Sequence, residues 1–166
     1  MKKLFLLIAA ALGASVCLAE AEAPAPALNG IAQPPGYQNW RVIGVSSRSD
    51  NGSLRAILGN SVAVEAARAG HTNPWPDGSM LAKVAWKQSA HPKFPAATVP
   101  GAFVHTDLMV KDSAKYAATG GWGFARWVGE SRTPYGQDAN FAQECFACHS
   151  QAADADRVFT VPVPMP

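Results

Sequence analysis

The stretch "DANFAQECFACHSQAAD", Asp138–Asp154, decides how the rest is read. It sets Cys145, Cys148 and His149 in the order Cys-x-x-Cys-His near the C-terminal end of a 166-residue chain. That spacing suits covalent haem attachment, in which two thiols add to two vinyl groups and the adjacent imidazole ligates the iron. It also fits a thioredoxin-like redox pair and half of a zinc site. The periodicity predicts a helix with Asp138 as N-cap. Phe141, Cys145, Cys148 and Ala152 recur at helical spacing, so one stripe carries both thiols and an aromatic ring. His149, four residues beyond Cys145, aims its ring the same way, so one helix holds a porphyrin edge and supplies the proximal ligand. The two alternatives account for less. A thioredoxin-type pair belongs early in an α/β pattern, after a strand. A tetrahedral zinc site needs a fourth ligand, and there is no second cysteine pair to give it.

The other end of the chain sets the compartment. "MKKLFLLIAAALGASVCLAEA", Met1–Ala21, starts with Lys2 and Lys3, runs apolar from Leu4 to Leu18, and ends in small residues that suit signal-peptidase cleavage after Ala19 or Ala21. The run is short for a membrane span. A lipoprotein signal centred on Cys17 is disfavoured by Val16, where a small residue is wanted. The expectation is a periplasmic protein with no membrane insertion after processing. Cys17 leaves with the signal, so Cys145 and Cys148 are the mature chain's cysteines. In an oxidising compartment two lone cysteines usually read as a disulfide, but here they stand three apart with histidine directly after. Removing Lys2 and Lys3 brings the formal charge of +2 close to neutral, which excludes a nucleic-acid partner or a polybasic membrane surface. Residues 22–35, rich in proline and alanine, read as a flexible leader, and residues 36–166 as one c-type haem domain large enough to enclose its cofactor.

Within the domain, short strand-like runs alternate with short helices. Strands are expected at "NWRVIGVSS" (39–47), "GSLRAILGN" (52–60), "SMLAKVAWKQS" (79–89), "GAFVHTDLMVKD" (101–112) and "GWGFARWVGE" (121–130). Helices are expected at 61–70, with Ser61 as N-cap and Gly70 as stop, and at 113–121. In the third strand Met80, Ala82, Val84 and Trp86 share one face; Leu81, Lys83, Ala85 and Lys87 share the other. In the fifth, Gly121, Gly123 and Ala125 form a bare face opposite Trp122, Phe124 and Arg126. A bare face either receives a close-packed neighbour or leaves room for a flat ligand. The fold class is therefore α+β: mainly antiparallel sheet, a few short helices, and a C-terminal haem-binding helix. Long amphipathic helices of a four-helix bundle are excluded by the prolines, glycines and β-branched runs.

A sixth iron ligand is not marked by any pattern. Met165 follows His149, and Met80, Met109, His71, His91 and His105 precede it, each more simply a core or surface residue. A five-coordinate iron open to a small molecule is the expectation; a methionine or histidine closing it would instead make an electron-transfer cytochrome. The five tryptophans read as core and haem edge. "DADRVF" holds too few carboxylates for a calcium loop.

The stretches "GYQNWRVIGVS", "LRAILGN", "NPWPDGSMLAKVAWK", "KYAATGGWGFARW" and "AQECFACH", followed by "VFT", resemble the cytochrome P-460 family across nearly the whole mature domain. The resemblance implies an antiparallel sheet with a few helices, one haem c attached through Cys145 and Cys148, an open iron, a periplasmic location and, in many members, a homodimer. Two branches share that fold. In one, a lysine is bonded to the porphyrin and the enzyme oxidises hydroxylamine to nitric or nitrous oxide. In the related cytochrome c′-beta branch the bond is absent, the pocket is apolar, and nitric oxide or carbon monoxide binds.

The residue matching the family's lysine is Lys83, after the Asp77–Gly78 turn. Its neighbours Leu81, Ala82, Val84 and Ala85 make an apolar context in which a neutral, nucleophilic amine is favoured; the plainer reading is a solvated sheet lysine like Lys87. Hydroxylamine-oxidising relatives place a carboxylate shortly before the haem motif. Here Asp138, Asn140 and Glu144 stand near, and none matches clearly. Phe141 would present an apolar wall over the iron. Arg55 and Arg126 would meet propionates or form surface ion pairs. The leading expectation is hydroxylamine oxidation with nitric oxide chemistry, with electrons passing to a periplasmic acceptor protein. Lys83 would tune the ring and His149 the iron.

Overall fold

The computed structural model describes residues 23–163; the expected signal peptide and Met165 lie outside the described residues. Six antiparallel strands pair in chain order: β1 Arg41–Arg48, β2 Ser53–Gly59, β3 Met80–His91, β4 Phe94–Lys111, β5 Trp122–Val128 and β6 Thr133–Pro134. Helix α1, Ser61–Ala69, joins β2 to β3, and helix α2, Phe141–His149, follows β6 and packs on β5. This is the α+β arrangement the sequence led us to expect. No helix among the described residues is long and apolar enough to cross a membrane.

The period-two alternation gives each sheet face its own core. Ile57, Leu81, Met109 and Phe124 stand on the front face and pack with Trp75, Trp122 and Val158. Leu58, Ala82, Leu108 and Ala125 stand on the back face and pack with Tyr37, Trp127 and Phe141. The alternation of β3 therefore holds: Lys83 shares the front face with Leu81. β4 begins earlier than expected, at Phe94. Its outer half pairs only with β3, so Pro95 and Pro100 remove N–H groups from an edge rather than from a sheet interior.

Helix α1 ends as expected, with Gly70 left-handed at φ 71° and its N–H bonded to the Ala66 carbonyl. Its N-cap is Asn60 rather than Ser61. The Asn60 carboxamide oxygen accepts from Ala63 N at 3.0 Å and from Met80 N at 3.1 Å, so one side chain starts α1 and anchors the beginning of β3. The expected helix at 113–121 shrinks to a 3₁₀ turn at Ala117–Thr119, because Gly120 and Gly121, both at positive φ, swing the chain into β5.

The leader corrects a further expectation. Its described part, 23–35, lies against the back face with Ala27 and Ile31 buried. Asn29 donates to the Phe124 carbonyl at 2.8 Å, and the Trp127 indole donates to the Ala25 carbonyl at 2.8 Å. Prolines had suggested looseness, yet a proline-stiffened segment loses little entropy on docking. The bare face of β5 is what it docks on. A Cβ at Gly123 would come within 2.5 Å of the Tyr116 ring and 2.9 Å of Ile31 Cδ1. That face takes close-packed neighbours, not a flat ligand. Gly123→Val is expected to lower the unfolding free energy by about 1–3 kcal/mol through overpacking, read as an earlier denaturant midpoint; an unchanged midpoint would mean that Tyr116 and Ile31 are free to move aside.

Candidate functional site

A cavity of about 630 Å³ opens between the front face of the sheet and the C-terminal segment. Its floor is a row of cross-strand partners, Ile57, Lys83, Asp107 and Arg126, contributed by β2 to β5 in that order. Cys145, Cys148 and His149 of α2 form one wall. After His149 the chain makes a 3₁₀ turn over Ser150–Ala155 and reverses through two consecutive left-handed residues, Asp156 at φ 50° and Arg157 at φ 64°. The returning segment, including Phe159 and Val161, closes another side, and Val163 N–H bonds the Ile43 carbonyl at 2.9 Å. Glycine is needed at position 44, where a Cβ would stand 2.7 Å from the Thr160 methyl.

His149 is placed as a ligand would be. Its Nδ1 lies 2.7 Å from the Arg157 carbonyl, an acceptor that selects the Nδ1–H tautomer and leaves the lone pair on Nε2. The ring packs between Phe124 and Phe159, each centroid 5.2 Å away. Burial lowers its pKa, against the opposing pull of the Arg157 carbonyl, so the imidazole is neutral at pH 7. Cys145 is half-buried and Cys148 exposed, and both are free thiols; burial pushes the Cys145 pKa up. Two free thiols one helical turn apart, a neutral imidazole with a free nitrogen and a large cavity in front of them fit a c-type haem. They fit a zinc half-site less well, since among the described residues no cluster of three or more His, Cys, Asp or Glu is arranged around a metal position.

Lys83 faces the same cavity, but its surroundings differ from the apolar context expected. Ala82 and Val84 turn to the back face, and the cross-strand neighbour is an acid: Lys83 Nζ is ion-paired with Asp107 Oδ2. Asp107 Oδ1 also accepts from Arg126 Nε at 2.6 Å, and His105 Nε2 lies 3.6 Å from Asp107 Oδ2. Burial alone would raise the Asp107 pKa; the Lys83 charge and the Arg126 hydrogen bond outweigh it and hold the carboxyl at about 2. Burial lowers the His105 pKa more than Asp107 restores it, leaving that imidazole neutral at pH 7. The Arg126 guanidinium sits 5.0 Å over the Tyr135 ring and is committed to Asp107. Arg55 lines the cavity beside Arg48, which is tied to Asp50.

Two residues near the haem motif, Phe141 and Asp138, fall elsewhere than expected. Phe141 does not line the cavity: it is buried in the back-face core, with Tyr135 edge-on at 6.2 Å. Asp138 accepts from Asn140 N at 2.8 Å, and Asn140 holds the N-cap position. Glu144 lines the cavity and accepts from the Tyr135 hydroxyl at 3.1 Å. Of the sixth-ligand candidates, His105 and Met109 line the cavity. Asp107 was not singled out from sequence. Its signal lay in "HTDLM", where His105, Asp107 and Met109 alternate onto one face, but only the β3–β4 register shows that this face is the one bearing Lys83.

The Asp107 contribution to stability has a defined pH window. A carboxyl lowered from 3.8 to about 2 stabilises the fold fully above its ordinary pKa, and that stabilisation is lost as pH falls through about 2. Asp107→Asn is therefore expected to cost on the order of 2 kcal/mol at pH 7, with parent and variant converging toward pH 2 in denaturant titrations. A pH-independent gap would mean that Asp107 acts through packing alone.

No curated protein matches the chain. The family model for cytochrome P460 matches residues 34–160, which takes in all six strands, both helices and the turn that carries the Arg157 carbonyl. The chain belongs to the cytochrome P460 family, and the cofactor that membership implies is a c-type haem.

Proposed function

We propose that this protein is a periplasmic mono-haem cytochrome that oxidises hydroxylamine, with haem held by thioethers to Cys145 and Cys148, His149 as axial ligand and a further bond from Lys83 to the ring. The observation that carries this reading is Lys83 itself. It stands in the cavity floor opposite the Cys-x-x-Cys-His wall, and Asp107 fixes its amine there. Bound haem would supply an iron at which a small nitrogen compound binds and gives up electrons. Oxidising hydroxylamine also requires protons to leave, and neutral His105 on the cavity floor has the free capacity to accept one. Arg55 offers a cation for propionates, because Arg126 is already engaged. Phe124 and Phe159 pack against the two sides of the His149 ring and restrict its rotation. The electrons would pass to a periplasmic acceptor protein.

One observation favours a second reading. The Lys83–Asp107 ion pair is the arrangement an unmodified ring would leave in place, and with it the protein would bind nitric oxide or carbon monoxide without turnover. Plain electron transfer would need Met109 or His105 to close the iron.

The optical spectrum of the dithionite-reduced, haem-loaded protein separates these readings. A Soret band far to the red of an ordinary high-spin c haem is expected, marking a modified ring; an ordinary position supports the gas binder, and sharp low-spin bands support electron transfer. Lys83→Met is expected to keep the haem attached, return the band to its ordinary position and abolish hydroxylamine oxidation. An unchanged spectrum and rate in that variant would refute the lysine bond.

A further inference from the structure

The atom that orients His149 is a main-chain carbonyl, and no substitution of Arg157 removes it. What holds that carbonyl in place is its neighbour. The Asp156 carboxylate is buried and receives Lys111 Nζ on both oxygens, at 2.8 Å each. Its Oδ2 also accepts from Trp75 N at 2.8 Å, and its carbonyl accepts from the Trp122 indole at 2.8 Å. Lys111 is 4% exposed and its ammonium lies 5.0 Å from the Trp122 ring centroid. Asp156 is thus tied to the end of β4, the loop before β3 and the start of β5, three parts of the rigid core. Asp156 and Arg157 are both left-handed without being glycine, a conformation that persists only where surrounding contacts enforce it. Neither Lys111 nor Asp156 lines the haem cavity.

We propose that Lys111 and Asp156 are positioning residues for the axial ligand: their buried ion pair sets the Asp156–Arg157 turn, and the turn sets the hydrogen bond from His149 Nδ1 to the Arg157 carbonyl. A histidine that donates strongly through Nδ1 gains anionic character at Nε2 and binds iron more tightly, which lowers the reduction potential. The Lys111–Asp156 pair acts on the iron's electronics through the main chain, without touching the cofactor. This rests on His149 being the iron ligand, as in the proposed function.

The test is resonance Raman spectroscopy of the reduced, haem-loaded protein, which reads the iron–histidine stretch, together with the reduction potential. Asp156→Asn keeps the shape and an acceptor for Trp75 but loses the charge pair; Lys111→Arg keeps the charge and displaces the hydrogen bonds. Both are expected to shift the stretch to lower frequency and raise the potential, Asp156→Asn by more. A stretch and potential unmoved in variants that are merely less stable would overturn the positioning role. A parent protein whose reduced iron is five-coordinate and high-spin yet shows no iron–histidine stretch would overturn the ligand assignment beneath it. A second measurement needs no variant. In the reduced protein blocked with carbon monoxide, the His149 Nδ1 proton is expected to be protected from solvent exchange, relative to a free imidazole, by the same factor as the Trp122 indole and Trp75 amide protons relative to their own free groups, because all three open with the same turn. A His149 protection factor orders of magnitude below those of the other two would overturn the coupling.

Discussion

The register between β3 and β4 is the constraint on which the site depends. Lys83 is paired with Asp107, and Asp107 with Arg126, so one line of cross-strand neighbours puts two cations on either side of one carboxylate. Slipping either strand by a single residue would send its whole set of side chains to the opposite face. Lys83 would then enter the back-face core, where Leu58, Leu108 and Trp127 offer no partner for an ammonium. The cost of that burial is several times larger than any one hydrogen bond in the sheet. The polar row is thus both a product of the register and a penalty against its alternatives, and Asn60 pins the start of β3 from outside the sheet.

The two faces divide the labour. On the back face the leader, Tyr116 and Phe141 pack into the space that Gly123 and Ala125 leave. On the front face the large residues gather around Trp75 and Trp122, and the space between them and α2 stays open. The chain then uses its last described residues to wall that space. Helix α2 is only nine residues long, and such a helix is marginal by itself. Its position is set at one end by Phe141, which enters the back-face core, and at the other by the turn after His149. The haem motif is held from both sides of the sheet.

What could be read from the sequence was local. The alternation of β3, the Gly70 stop, the Cys-x-x-Cys-His spacing and the five expected strand segments each depend on a few adjacent residues, and each appears in the structure. What could not be read was the partnership of distant residues. Lys83 looked apolar in its surroundings because Ala82 and Val84 are its neighbours in sequence, whereas the residue that sets its chemistry lies across a hairpin. Phe141 shares a helical stripe with Cys145, yet the helix sits at the sheet's side, so adjacent turns of that stripe meet different cores. The leader shows the same limit: composition reports how stiff a segment is, not whether a bare strand face awaits it.

The Asp107 cluster would also tie the proposed Lys83–ring bond to proton handling. With Lys83 charged beside it, Asp107 is a carboxylate of pKa about 2, too weak a base to draw a proton from hydroxylamine. Burial pulls that value upward, and the Lys83 charge is the largest of the opposing influences. A lysine nitrogen bonded to a porphyrin carbon no longer presents the same ammonium. Asp107 would then keep its burial and its Arg126 hydrogen bond but lose its principal stabilising charge, and its basicity would rise accordingly. His105, whose pKa the Lys83 charge helps to depress, would become more basic in the same step. On these electrostatics an unmodified ring leaves a cavity whose acid is inert and suited to holding a neutral gas, whereas a lysine-bonded ring leaves one whose acid and imidazole are both better placed to accept protons. The same four side chains would serve either chemistry, and the fate of one nitrogen would select between them.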